Sequence, residues 1–144
     1  MATNIRRATL TDLNELIRWR MKSLREAFAG KKDVDYTSLR QAQLNFYRRA
    51  ISMESYLACF ADQGYTAVGY GGLVFCQEPP TPDNPLGHCA YLMSIYTPPE
   101  LRNQGIGKRI INWLVKQAHK RGITKIYMNE PQVALPKCDF AAEA

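Results

Sequence analysis

Apolar residues change their spacing in blocks along this chain, and each block predicts an element. Leu13, Leu16, Ile17, Met21, Leu24 and Phe28 recur at three- and four-residue intervals, the period of a helix with one buried face. Thr9 and Asp12 stand ahead of it at capping-box spacing, and Gly30 with the charged run Lys31-Lys32-Asp33 ends it. A short strand, Ile5-Arg6-Arg7-Ala8, precedes that helix. A second helix is expected from about Thr37 to Met53, with Leu39, Ala42, Phe46, Ala50 and Met53 on its inner side. The period then shortens. Ser55 to Ala61 and Tyr65 to Cys76 read as paired strands joined by a hairpin at Asp62-Gln63-Gly64. Gly69, Gly71 and Gly72 mark a bulge in the second of them, or a close approach by another group. Glu78 to Gly87, with four prolines, is a surface loop, and His88 opens the next strand.

The most informative stretch runs from Tyr91 to Gly122. A strand ending Ile95-Tyr96-Thr97 is stopped by Pro98 and Pro99, which cannot donate to a sheet ladder. Arg102-Asn103-Gln104-Gly105-Ile106-Gly107 follows and opens a helix. In that helix Ile106, Ile110, Ile111, Trp113, Leu114 and Ala118 fall on one arc, opposite Lys108, Arg109, Asn112, Lys116 and His119. Gly122 suits the C-terminal cap, after a basic last turn that complements the helix dipole. Lys125 to Asn129 reads as the next strand, so the unit is βαβ with its two strands parallel and a right-handed crossover. Strand, glycine loop and helix N-terminus form an anion site, because the first helical N–H groups lack intrahelical acceptors.

Length sets one domain over residues 1–144. No run approaches the roughly 18 apolar residues of a membrane span, and the N-terminus lacks the apolar region of a signal peptide. A soluble, cytoplasmic protein without membrane partners is expected. Cys59, Cys76, Cys89 and Cys138 show no paired spacing, and with two histidines no metal site is expected. A net charge of +6 raises the question of nucleic acid. The basic residues are spread over helix faces (Arg18, Arg20, Lys22, Arg25, Arg48, Arg49, Lys108, Arg109) rather than gathered with aromatics. They read as solvated faces, and nucleic acid is disfavoured as a partner.

Arg102-x-x-Gly105-x-Gly107, after a strand stopped by proline and before an amphipathic helix ending Arg-Gly, resembles the acetyl-CoA signature of the GNAT superfamily of N-acetyltransferases. Arg6-Arg7-Ala8-Thr9 is similar to that family's opening strand, and the element order agrees from Ile5 to about Asn129. The resemblance implies an α/β (α+β) three-layer fold: a mixed, mostly antiparallel twisted sheet, helices on both faces, and a parallel strand pair around the CoA loop. It implies acetyl-CoA as acyl donor, held by main-chain groups of Arg102, Asn103, Gln104, Gly105, Ile106, Gly107 and Lys108. The pantetheine arm would lie along Ile95, Tyr96 and Thr97 like an added strand, and Asn129 matches an asparagine often near that arm.

The implied reaction is direct attack by a primary amine of a small molecule or peptide in a ternary complex, so no enzyme nucleophile is needed. No base is assigned. Tyr91 occupies the position of a glutamate base in histone-type relatives, and a phenol of pKa near 10 is a poor base; Glu54, Asp33, Asp35, His88 and an ordered water stay open. Asp33, Asp35 and Tyr36 are either acceptor contacts or a solvated loop. After Asn129 the resemblance lapses. No tyrosine follows Tyr127 to protonate the thiolate, Pro131 and Pro136 oppose a helix, and the family's last two strands are absent. The expectations are an atypical tail over 130–144, a homodimer formed at the exposed sheet edge, and a catalytically weakened acyl-CoA-binding domain as the alternative function.

Overall fold

The computed structural model describes residues 2–128. Five strands and three helices follow in the order β1 (Asn4–Arg7), α1 (Leu13–Ala27), α2 (Tyr36–Ser52), β2 (Tyr56–Gln63), β3 (Thr66–Gln77), β4 (His88–Tyr96), α3 (Ile106–Lys120) and β5 (Lys125–Met128). The strands form one sheet in sequence order, antiparallel from β1 to β4 and parallel between β4 and β5. No described helix is long and apolar enough to cross a membrane.

Two cores flank the sheet. On one face, α1 and α2 bury Leu16, Ile17, Trp19 and Tyr47 against Ala58, Phe60, Tyr70 and Tyr96. On the other, α3 sets Ile106, Ile110, Leu114 and Ala118, each four residues from the next, onto Leu57, Cys59, Leu73 and Leu92. Full burial of a leucine or isoleucine is worth roughly 1.5–3 kcal/mol, so that single row anchors α3 and with it the loop at its start.

Local chemistry sets the helix starts. The Thr9 N–H donates to the Asp12 carboxylate at 2.9 Å, opening α1 through the 3-10 turn Leu10–Asp12 as the capping-box spacing predicts. Asp35 caps α2, accepting from the Ser38 N–H at 3.0 Å.

Several expectations are corrected. The inner stripe of α2 is rotated: Phe46 is 48% and Met53 70% exposed, whereas Tyr47 and Ala50 are buried. A tyrosine supplies an apolar body as large as phenylalanine's, so counting only aliphatic residues and phenylalanine misplaces the face. The hairpin turns at Gly64-Tyr65, one residue later than expected, with Gly64 at φ 64° after strand pairing that continues to Gln63↔Thr66. The glycines of β3 are sites of close approach. A Cβ on Gly72 would lie 1.7 Å from the Tyr56 hydroxyl, and one on Gly71 2.6 Å from Ile110 Cγ2. The bulge in β3 falls beside them, where Ala61↔Gly69 steps to Asp62↔Ala67. The tail over 130–144, expected to be atypical, lies outside the described residues.

Candidate functional site

The site is built at the C-terminal end of β4. Between Gly72↔Met93 and Tyr70↔Tyr96 β4 carries one extra residue, and Ser94 takes φ 61° there. A side chain held in the left-handed region marks a distortion that the surrounding packing maintains. On the other edge, parallel pairing with β5 runs from Cys89↔Lys125 to Leu92↔Met128. Ile95 and Tyr96 lie beyond the last described pair of this ladder. Asn129, expected beside it, lies outside the described residues.

Pro98 and the 3-10 turn Pro99–Leu101 carry the chain to the glycine loop. Asn103 at φ 66° and Gly105 at φ 82° reverse it, and Gly105 is the N-cap of α3. Gly105 has no side chain with which to cap the helix. The Arg109 N–H returns to the Gly105 carbonyl at 3.1 Å, while the N–H groups of Ile106, Gly107 and Lys108 precede the first bond of the helix. A Cβ on Gly105 would meet nothing within 4 Å among the described residues. Among the described residues the N-terminus of α3 thus has no side-chain cap, with Lys108 exposed beside it and the Arg109 guanidinium donating to the Thr3 carbonyl at 2.6 Å. That donor set fits a polyanion.

Arg102 turns its side chain away from this space. Its Nε donates to the Thr97 carbonyl at 2.9 Å, its guanidinium pairs with Glu26 of α1, and the Tyr96 ring lies 5.5 Å beneath it. Glu26 also accepts from the Tyr96 hydroxyl at 3.0 Å. The Arg102 guanidinium holds the Glu26 carboxyl below its ordinary range.

Glu26 is one of three polar residues that α1 presents to β3 and β4 at three-residue steps. Ser23 shares a 2.8 Å hydrogen bond with the Tyr70 hydroxyl, and Arg20 donates to Ser94 Oγ at 2.8 Å. Burial pushes the Tyr70 hydroxyl up to about 12, so it stays neutral at physiological pH. Beyond Arg20, a cavity of about 600 Å³ opens between α1 and α2, with Leu24, Phe28, Val34, Tyr36, Leu39 and Gln43 among its walls. A second cavity, of about 410 Å³, lies at the start of β4, bounded by Cys76, His88 and Arg121, away from the glycine loop.

The proposed bases are not brought together. His88, the first residue of β4, bonds the Gln77 side chain, seven residues from Ile95. Glu54 faces Arg7 and Arg121, beside Phe75, whose ladder partner is Ala90. At roughly 3.3 Å per residue these are about 23 and 16 Å from Ile95 along β4. Tyr91 stacks on Tyr127 at 5.0 Å, and burial raises its pKa. Asp35 is occupied as a helix cap, and the Tyr36 ring lies 4.1 Å under the Arg25 guanidinium; both border the larger cavity with Asp33. Arg20 departs from its expected solvated face and is half-buried.

The family model for the acetyltransferase (GNAT) family matches residues 13–140. The chain belongs to this family. Solved GNAT folds superpose on it closely. A predicted acetyltransferase from Clostridium acetobutylicum, with acetyl-CoA, has a TM-score of 0.80 at 22% identity, over 90% of this chain and 81% of that one. A GCN5-related N-acetyltransferase from Ralstonia eutropha JMP134 has a TM-score of 0.78 at 22% identity, over 99% and 91%. The PaiA N-acetyltransferase from Thermoplasma acidophilum, in complex with coenzyme A, has a TM-score of 0.67 at 22% identity, over 99% and 87%. No curated protein sequence matches the chain. The GNAT domain seen here has the expected three layers, mixed sheet and parallel strand pair around the loop.

The Arg20, Ser94 and Glu26 side chains escape a motif reading, since none lies in the glycine signature. A signal for Arg20 exists all the same: it falls three to four residues from Leu16, Ile17 and Leu24, a cation on an otherwise apolar stripe.

Proposed function

We propose that this GNAT domain is an N-acetyltransferase that moves an acetyl group from acetyl-CoA to a primary amine of a small molecule or peptide. The observation that carries the reading is the N-terminus of α3 at Gly105, where no side chain caps the helix and a Cβ would meet nothing within 4 Å among the described residues, a short turn after the bulged end of β4. The N–H groups of Ile106, Gly107 and Lys108, with the backbone of Arg102, Asn103, Gln104 and Gly105, take the pyrophosphate. Ile95, Tyr96 and Thr97 take the pantetheine amides by strand-like pairing, and Asn129 is assigned to the same arm. The CoA-bound relatives with this fold support acetyl-CoA as donor.

Transfer then needs no enzyme nucleophile. The neutral amine attacks the thioester carbonyl, a C–N bond forms, the C–S bond breaks, and the amine's proton leaves as the thiolate departs. Amine deprotonation falls to water at the acceptor side, since the carboxylate at the end of β4, Glu26, is committed to Arg102 and Tyr96.

A calorimetric titration of acetyl-CoA into the wild type and Gly105→Asp tests the donor site. Saturable binding by the wild type and none by the variant is expected; equal binding by both refutes this placement of the pyrophosphate. Product analysis with a panel of amines separates an enzyme from an acyl-CoA-binding domain, because only the enzyme yields acetylated amine.

A further inference from the structure

Arg20 stands on the buried stripe of α1, between Leu16-Ile17 and Leu24. A guanidinium taken out of water carries a heavy desolvation cost and ordinarily meets a carboxylate. Exposed Arg6, Arg7, Arg18, Arg102 and Arg121 all do so here. Among the described residues, half-buried Arg20 meets none. Its contacts are neutral: Ser94 Oγ at 2.8 Å, Gln43 Oε1 at 3.4 Å, and the surrounding phenols of Tyr47, Tyr70 and Tyr56.

Its location decides what the spare charge serves. Ser94 is the left-handed residue of the β4 bulge, one position before Ile95, and Gln43 lines the apolar cavity between α1 and α2. The guanidinium therefore links Gln43 of that cavity to the bulge near the end of β4, on the α1 face of the sheet and away from α3.

We infer that Arg20 binds the carboxylate of the acceptor, so that this protein acetylates an amine that also carries a carboxylate, such as an amino acid with an apolar side chain. The inference rests on the acetyl-transfer reading of the glycine loop. A planar guanidinium matches a carboxylate through two parallel hydrogen bonds, and an anion bound there satisfies a cation that the fold leaves without one. Placed so, the acceptor's amine lies close to the Ser94–Tyr96 stretch along which the thioester is assigned. Its side chain enters the cavity walled by Leu24, Phe28, Val34 and Leu39.

The test uses N-acetyl-L-leucine and its uncharged amide, two product analogues, in calorimetric titrations with and without CoA. Wild type is expected to bind the acid at least about tenfold more tightly, the size of effect a charge-assisted bidentate contact supports. In Arg20→Met the two ligands become equal; in Arg20→Lys a weakened preference for the acid remains. Arg20→Met exchanges a half-buried cation for an apolar residue of similar length, and a melting temperature close to the wild type's verifies that the fold is kept. Equal affinities in the wild type, no binding of either ligand, or an acid preference surviving in Arg20→Met each overturn the inference. The acetyl-CoA titration is independent of all three, so loss of the donor reading is distinguished from loss of this one.

Discussion

The Glu26 carboxylate, one residue from the end of α1, grips the Arg102 guanidinium in the glycine loop and binds the Tyr96 hydroxyl at the end of β4. The loop's arginine side chain is thereby a tether, and only its main chain faces the anion site. Both partners are 41% exposed, so the pair contributes at most about 1 kcal/mol to stability after solvent screening. Its effect is expected in loop geometry instead. Glu26→Gln should melt close to the wild type and bind acetyl-CoA roughly three- to tenfold more weakly, the range of a modest loss of preorganisation. Calorimetry beside a thermal melt checks both halves.

The same pair predicts a pH dependence. Hydrogen bonding from Arg102 lowers the Glu26 pKa below its unfolded value of 4.5. A depressed acid contributes fully above the unfolded pKa and loses that contribution as pH falls through the folded one. The ratio of wild-type to Glu26→Gln affinity for CoA should stay constant from neutral pH down to the unfolded pKa, then shrink toward one in more acidic buffer. Taking the ratio cancels titration of the ligand's own phosphates.

The glycines differ in what they permit. Gly72→Ala sets a methyl against the Tyr56 ring and hydroxyl, whereas a Cβ on Gly30 meets nothing within 4 Å. Overpacking of this kind costs about 1–3 kcal/mol. Gly72→Ala should lower the melting temperature by several degrees, and Gly30→Ala should leave it within a degree or so.

Cysteine chemistry gives an independent check of the sheet. Burial pushes the Cys59 thiol up to about 12, on the α3 face of β2. At pH 8 it should resist alkylation until the protein is denatured, as peptide mapping after timed iodoacetamide exposure will reveal. Rapid native labelling of Cys59 would contradict the packing of α3 on the sheet.

How much of this was legible beforehand depends on how local each cause is. The α3 row was readable because its members lie within about one turn of each other, and the parallel β5 because a strand–helix–strand unit has a fixed crossover. Gly72 was read as open between bulge and close approach because its partner, the Tyr56 ring, comes from the adjacent strand. Phe46 and Met53 were placed inside on apolar character alone, while the buried position belongs to Tyr47. Arg20 was assigned to solvent by its charge; only the sheet that brings Ser94 across from β4 discloses its surroundings.

On the proposed reading, one helix serves two ligands. Arg20 and Glu26 stand less than two turns apart on α1, one at the assigned acceptor pocket and the other on the tether of the donor loop. Any shift of α1 that one ligand favours is felt by the other, and thermodynamic linkage makes the influence reciprocal. The factor by which CoA tightens acceptor binding must equal the factor by which the acceptor tightens CoA binding. A rigid α1 would set that factor to one and make loading random, whereas a helix that settles only when Glu26 holds Arg102 would turn random loading into an ordered sequence, donor first.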